Sequence, residues 1–321
     1  AASAPDAPTI GAVTAGDGQV TVTWTAPGSD GGSPITGYLV TPSIGGVPQA
    51  PVASPGAGTS KAVTGLVNGT TYTFTVAAVN AVGTGPASAA SAVATPQPPY
   101  APFASWGALV DRLYLDLTAV APSASDRASW VSQLTSGAKK PGDLVAALRL
   151  TPDNTAKIDA TVRLYRALLG RAPDAGGLKF WVNRRRSGSW TLNRMATAFS
   201  SSSEFQRKYG SLTNKQFVTQ IYTDVLGRAA DAGGVTYWTA KLDTGQRTRG
   251  TVMVGFSESS EYKRKQVENT DVAVAYIFLL GRAATSGETT DWVTRQKAGT
   301  PMATLAGELL ASAAYRSHII G

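Results

Sequence analysis

The chain has 321 residues, a length that suggests two or three domains, and a formal net charge of +8. It has no cysteine and one histidine, His318, which excludes disulfides, thiolate metal sites, cysteine nucleophiles and any metal site built from several imidazoles of one chain. Only 16% of its residues are charged, and no apolar run approaches the length of a membrane span.

The opening Ala1-Ala2-Ser3-Ala4-Pro5 has neither Met nor an apolar signal region, and reads as a processed or truncated mature end. Charge then divides the chain. Residues 1–97 hold one base, Lys61, and three acids, Asp6, Asp17 and Asp30. Residues 98–321 hold 28 bases against 18 acids, a net of +10, and six of the seven tryptophans. Such a break marks two domains with different partner requirements. The joint is Thr95-Pro96-Gln97-Pro98-Pro99, where proline opposes both helix and ladder. The expected organisation is a β-sandwich over 1–96, a Pro-rich linker over 97–104 and a helical repeat domain over 105–321.

In the first domain Val20, Val22 and Trp24 alternate with Thr21, Thr23 and Thr25, a strand period with β-branched or aromatic residues on both faces. Ile35, Tyr38 and Val40 begin a second strand after the turn Ser29-Asp30-Gly31-Gly32. Tyr72, Phe74 and Val76 mark a third. Short strands between Gly/Pro/Asn turns predict an all-β, immunoglobulin-like sandwich. Pro8, Trp24, Tyr38, Leu66-Val67-Asn68-Gly69-Thr70-Thr71-Tyr72 and Val79-Asn80 resemble a bacterial fibronectin type III module. The resemblance implies a core Trp and a tyrosine corner, and a spacer or adhesive role in a secreted protein. Gly56-Ala57-Gly58-Thr59-Ser60-Lys61 lacks the ending of a phosphate loop and reads as a sandwich loop.

The second domain repeats itself. Tyr165-Arg166-Ala167-Leu168-Leu169-Gly170-Arg171, Tyr222-Thr223-Asp224-Val225-Leu226-Gly227-Arg228 and Tyr276-Ile277-Phe278-Leu279-Leu280-Gly281-Arg282 align without gaps. Trp181, Trp238 and Trp292 each follow sixteen residues after the Tyr, and Tyr114 with Trp130 is a worn fourth pair. The predicted repeats are about 105–157, 158–212, 213–268 and 269–321, each of three to four short helices. Phe217, Ile221 and Val225 give one apolar helix face, which Gly227 ends. Ala232-Gly233-Gly234 reads as a loop before a second helix through Val235, Trp238 and Leu242. Ser202-Ser203-Glu204-Phe205 and Ser259-Ser260-Glu261-Tyr262 read as capped starts of a short fourth helix. The pattern resembles the bacterial domain of unknown function 4214. That resemblance implies a helical fold in a large secreted or surface protein, and no catalytic residue. Repeat four departs from it with Thr285 in place of Asp and no Glu after Ser312, and repeat one lacks the Gly-Arg.

Few residues stand out chemically. Arg171 with Asp174, and Arg228 with Asp231, form a polar-ligand or calcium subsite on one reading. On the favoured reading the arginine caps helix-end carbonyls while the Asp braces the loop. With Gly170, Gly227, Gly281, Arg282 and the three tryptophans at 181, 238 and 292, these residues define the repeat. Trp106 and Trp190 lie outside the pattern and are the candidates for exposed contacts. Arg184-Arg185-Arg186 and Lys263-Arg264-Lys265 are basic knots. No nucleic-acid motif accompanies them, so an acidic envelope polymer, a glycan or the acidic face of a neighbouring copy is the expected partner.

No Gly-x-Ser-x-Gly elbow, His-Glu-x-x-His helix or dinucleotide fingerprint occurs, and no catalytic, cofactor or metal residue is expected. The reading is a non-enzymatic, extracellular or cell-surface bacterial structural protein that self-assembles into an oligomer or filament. Assembly is expected head to tail through worn repeat ends, and reversing the charge of Arg184, Arg185 and Arg186 should weaken it while leaving the fold intact. The alternatives are a module that binds cell-wall or extracellular polysaccharide, or an accessory part of a larger secreted enzyme.

Overall fold

The computed structural model describes residues 1–320, and the chain divides into two compact units, Ala1–Ala101 and Pro102–Gly321. The first unit is all-β. Its strands are β1 (Thr9–Gly16), β2 (Gln19–Thr25), β3 (Gly37–Ile44), β4 (Val47–Pro48), β5 (Val52–Pro55), β6 (Ser60–Thr64), β7 (Thr73–Val79) and β8 (Thr84–Ala87). One sheet has the order β1-β2-β6; the other has β4-β3-β7-β8, with β5 also on β3. All named pairings are antiparallel.

The period-two pattern puts Val20, Val22 and Trp24 of β2 against Tyr38, Val40, Phe74, Val76 and Ala78 of the facing sheet. The Trp24 and Tyr38 rings meet at 5.1 Å. The Tyr72 hydroxyl accepts the Val67 N–H at 3.1 Å, which is the tyrosine corner. Buried Asn80 donates to the carbonyls of Ser3 and Asp30 and accepts from the N–H groups of Val82 and Gly83. One side chain thereby satisfies four backbone groups, of two turns and of the segment before β1. Pro96 and Gln97 are hydrogen-bonded to Gly69 and Gly16, so the start of the Pro-rich joint is tied to the sandwich.

The second unit is all-α. Its first repeat holds α1 (Trp106–Thr118), α2 (Ala124–Thr135) and α3 (Pro141–Arg149). A π-helix, Asn154–Asp159, runs directly into α4 (Ala160–Leu169), which is followed by α5 (Ala175–Arg186), α6 (Leu192–Ser200) and α7 (Ser203–Tyr209). The third repeat holds α8 (Asn214–Leu226), α9 (Ala232–Asp243), α10 (Arg249–Ser257) and α11 (Ser260–Lys265). The fourth holds α12 (Val267–Leu280), α13 (Ser286–Lys297), α14 (Met302–Ala311) and α15 (Ala313–Ile320).

Local sequence sets these boundaries. Ser202 and Ser259 cap α7 and α11 through their hydroxyls. Gly170, Gly227 and Gly281 end their helices at φ of 72°, 65° and 68°. Ala119 takes the same place after α1 at φ 58°, where it is the one non-glycine with positive φ among the described residues. An alanine there bears a Cβ–carbonyl strain of about 1 kcal/mol that glycine escapes. Ala119→Gly should therefore raise stability by about 0.5–1 kcal/mol. Denaturant unfolding checks this, and an unchanged midpoint would remove the strain argument.

Two expectations are corrected. Ala232-Gly233-Gly234 forms the first turn of α9, not a loop. The second glycine of each such pair is there for space: the Tyr222 hydroxyl lies where a Gly234 side chain would begin, and the Tyr165 hydroxyl is 2.7 Å from where a Gly177 Cβ would be.

The second correction concerns the repeat ends. The repeats do not stack as an open row. Repeats one and four share one core, with Leu113, Leu144 and Leu148 beside Ile277, Leu305 and Leu310. Repeats two and three share another, with Leu164, Leu168 and Phe199 beside Phe217, Ile221 and Phe256. Helix α14 lies on α3, and α10 on α6. Repeats one and four therefore pack on one another and do not stand as the open ends of a row.

Candidate functional site

The repeat motif builds one structural device. In repeat two the Arg171 guanidinium donates to Glu204 at 3.0 and 3.2 Å, and in repeat three Arg228 Nε donates to both Glu261 oxygens at 3.2 Å. The same guanidinium groups lie 5.9 and 5.0 Å from the Tyr165 and Tyr222 ring centres. They also reach the Ala172 and Ala229 carbonyls just past the helix end. Asp174 and Asp231 instead cap α5 and α9, accepting from Gly177 N–H at 2.7 Å and Gly234 N–H at 2.6 Å. The motif arginine thus joins the Leu-Gly-Arg turn to the Ser-x-Glu helix, and the Asp is chiefly a cap.

Repeat four reaches the same end differently. Thr285 and Glu288 form a capping box, and Arg282 donates to Glu288 at 2.7 and 2.8 Å. Thr285 stands at the Asp position and Glu288 at the Asp-x-x-Gly glycine position, so one local change replaces the missing distant Glu. The Arg282 hydrogen bond, followed by those from Thr285, holds the Glu288 carboxyl down at about 2 from its ordinary 4.5. A carboxylate lowered in the fold stabilises above its ordinary value and loses that contribution as pH falls through the lowered one. The melting-temperature gap between wild type and Glu288→Gln should therefore close between pH 4.5 and about 2. An equal gap at both ends of that window would show that the pair does not act through charge.

The tryptophans serve the packing. Trp292 is buried, and Trp181 and Trp238 are half-buried against Phe199 and Phe256. Trp106 and Trp190 are also half-buried against the two helical cores, which corrects the expectation of free exposed rings. Trp190 meets Trp181 edge-on at 5.0 Å and carries Arg194 at 4.3 Å over its ring.

The two basic runs separate residue by residue. Arg185 donates to the Lys157 and Ala156 carbonyls at 2.6 and 2.9 Å, so it closes backbone groups of the π-helix. Arg186 donates to Asp153 at 2.7 Å and to the Leu117 carbonyl at 2.8 Å. Reversing both charges would strand part-buried acceptors and repel Asp153, so the triple change is expected to lower the stability of the fold as well. Arg184 is the exposed member, 4.1 Å from the Phe180 ring centre. In the second run Lys265 binds Glu261 and the Leu226 carbonyl, and Lys263 pairs with Glu258 at 3.1 Å. Arg264 is exposed and makes no ion pair among the described residues.

Aligning the repeats shows a feature that the run of arginines conceals. Phe180 and Arg184 stand at i and i+4 on α5; Tyr237 and Lys241 stand at the matching places on α9. Phe180 is 47% exposed and Tyr237 55%, each beneath its own cation. Phe180 and Tyr237 stand at the same offset from their repeat tyrosines, Tyr165 and Tyr222.

A cavity of about 410 Å³ lies where residues of all four repeats meet. Its floor is Arg149, which donates to Asp159 at 2.7 Å and to Asp271 at 2.8 Å. Asp271 also accepts from Gln296, and Gln296 accepts from the Trp292 indole. Arg163 forms a two-pronged pair with Glu258 at 2.9 Å. Burial, the largest influence, holds the Asp159 carboxyl above its ordinary value despite the pull of Arg149. Of this set, Lys263 and Arg264 are the residues that a run in the sequence marks. Among the described residues no cluster of His, Cys, Asp or Glu could hold a metal ion, and no helix is long and apolar enough to cross a membrane.

Comparison with known proteins follows this division. Residues 3–94 match the fibronectin type III domain, and residues 153–208 and 196–266 match the domain of unknown function (DUF4214). Similar solved structures include the titin kinase with its flanking domains, at 31% identity over 30% of this chain and 18% of that one, with a TM-score of 0.26. The fibronectin type III domains FN1–FN3 of chicken CNTN1 are 25% identical over 29% of this chain and 33% of that one, TM-score 0.27. The sixth fibronectin type III domain of a human protein named for such domains is 32% identical over 30% of this chain and 91% of that one, TM-score 0.26. This chain spans less than a fifth of the titin structure it matches. A fibronectin type III domain with DUF4214 suggests an extracellular or surface module.

Proposed function

We propose that this chain is a non-catalytic extracellular module that holds an acidic surface polysaccharide, with the β-sandwich as spacer and the helical repeats as the binding part. The observation that carries the reading is the repeated aromatic–cation pair, Phe180 with Arg184 and Tyr237 with Lys241. A flat exposed ring suits the apolar face of a pyranose, and a neighbouring cation suits its carboxylate. Two such pairs on one unit give the second contact an effective-concentration advantage on a repeating polymer. The +10 carried by residues 98–321 attracts a polyanion over a longer range.

Affinity electrophoresis in gels containing alginate tests this. The wild type should be retarded at low salt and released as salt screens the charges. Phe180→Ser with Tyr237→Ser should lose about tenfold in affinity, as two stacking contacts of modest strength would. Retardation equal to wild type in that double variant would refute the site. Sedimentation velocity of the same samples weighs the self-assembly reading. A filament that forms without polymer and ignores both substitutions would replace the present one.

A further inference from the structure

The cavity at the meeting of the four repeats has features that packing alone does not explain. Two of its lining residues, Arg149 and Thr270, are almost wholly buried, and their unpartnered atoms Arg149 Nε and Thr270 Oγ1 lie behind the cavity wall, without surface on it. Buried polar atoms are seldom left this way, and each such orphan calls for a physical reason. A second feature is the π-helix Asn154–Asp159, from which Thr155 and Asp159 line the same cavity. A π-helix gives up favourable backbone geometry, and such turns gather at functional sites. A third is charge. Arg149, Arg163, Lys263 and Arg264 line the cavity with Asp159 and Asp271, and Glu258 pairs with both Arg163 and Lys263, which leaves Arg264 as the cation not offset by an ion pair. Arg264 makes no ion pair among the described residues. A fourth is apolar surface: Leu150, 78% exposed, and Val267, 48% exposed, line it as well.

We infer that this cavity binds a small organic carboxylate with a short aliphatic body. The planar fork of Arg264 matches a carboxylate in a two-bond geometry. Leu150 and Val267 cover the aliphatic carbons, removing apolar surface on both sides from water. The volume lies within the roughly 300–1,000 Å³ of small-molecule sites. The inference does not rest on the polysaccharide reading, whose pairs lie on α5 and α9.

Isothermal titration of the full chain with acetate, hexanoate and inorganic phosphate tests it. Hexanoate should bind more tightly than acetate, by about fourfold for each methylene that becomes buried. Phosphate should bind more weakly than hexanoate. Arg264→Gln should weaken hexanoate about tenfold, and Leu150→Asp, which adds a negative charge beside the aliphatic surface, should weaken it at least as much. Both residues are exposed, so circular dichroism melts of these variants should match wild type. No hexanoate binding at millimolar concentration would overturn the proposal. So would phosphate binding as tight as hexanoate, or hexanoate binding unchanged in both folded variants. Loss of alginate retardation with hexanoate binding retained would remove the polysaccharide reading alone.

Discussion

Gly142→Val should destabilise the helical unit by about 3 kcal/mol or more. Gly142 is the second residue of α3, and a Cβ there would run into the Ala303 carbonyl of α14, with the Gly307 nitrogen 2.8 Å away. Both obstacles are backbone, so no rotamer change relieves them. The only relief is to separate α3 from α14, which exposes Leu144, Val145 and Leu148 on one side and Leu305 and Leu310 on the other. Each such side chain contributes about 1.5–3 kcal/mol when fully buried. The backbone would settle between the collision and partial separation, which is why the expected loss is several kcal/mol rather than their sum. Gly250 on α10 is the counterpart, with its Cβ position 2.5 Å from the Ala196 carbonyl of α6. Urea unfolding measures the effect. A Gly142→Val variant within about 0.5 kcal/mol of wild type, the spread of ordinary surface changes, would mean that α3 and α14 are not held in this contact.

The sandwich was legible because its information is local. Alternating Val20, Val22 and Trp24 fix one face of a strand, and Tyr72 sits five residues from the amide its hydroxyl accepts. The helices of each repeat were legible for the same reason: Gly170, Gly227 and Gly281 mark their ends without reference to anything distant. The pairing of repeat one with four, and of two with three, was not. It depends on small residues such as Gly142 and Ala196 at helix crossings, and a glycine reads in sequence as a turn or a cap before it reads as a close approach. Gly234 is such a position, with the Tyr222 hydroxyl where its side chain would begin.

The site divides along the same line. The Thr285-x-x-Glu288 capping box could have been read directly, and with it the altered role of Arg282. Arg185 and Arg186 could not, because their partners lie in a π-helix and at the end of α1, and a run of three arginines carries no mark of which member faces inward. Arg149, Asp159 and Asp271 are separated by up to 122 residues and belong to no motif. Only the folded chain brings them to one floor.

That floor carries the other large effect. Arg149→Met should cost about 3–5 kcal/mol at neutral pH, the usual consequence of leaving buried charge without its partner. The Arg149 side chain is 5% exposed, and it balances Asp159 at 14% and Asp271 at 16%. Burial opposes the charge of Arg149, but the two carboxylates outweigh it and raise the guanidinium above its ordinary value. Asp159 is raised too, because burial outweighs the arginine's attraction. Without Arg149 that upward shift must grow, since its main lowering influences are gone. A carboxyl raised in the fold favours the folded state fully below its ordinary value of 3.8 and loses that contribution as pH rises through the raised one. The deficit of Arg149→Met should therefore be greatest at pH 7 and shrink as pH falls toward 3.8. Replacing the whole triad, Arg149→Met with Asp159→Leu and Asp271→Leu, should recover most of the loss, because no buried charge then lacks a partner. Urea melts of the three proteins at pH 7 and at mildly acid pH separate the contributions. A deficit in the single variant that stays constant with pH would show that Arg149 acts by packing and not by its charge.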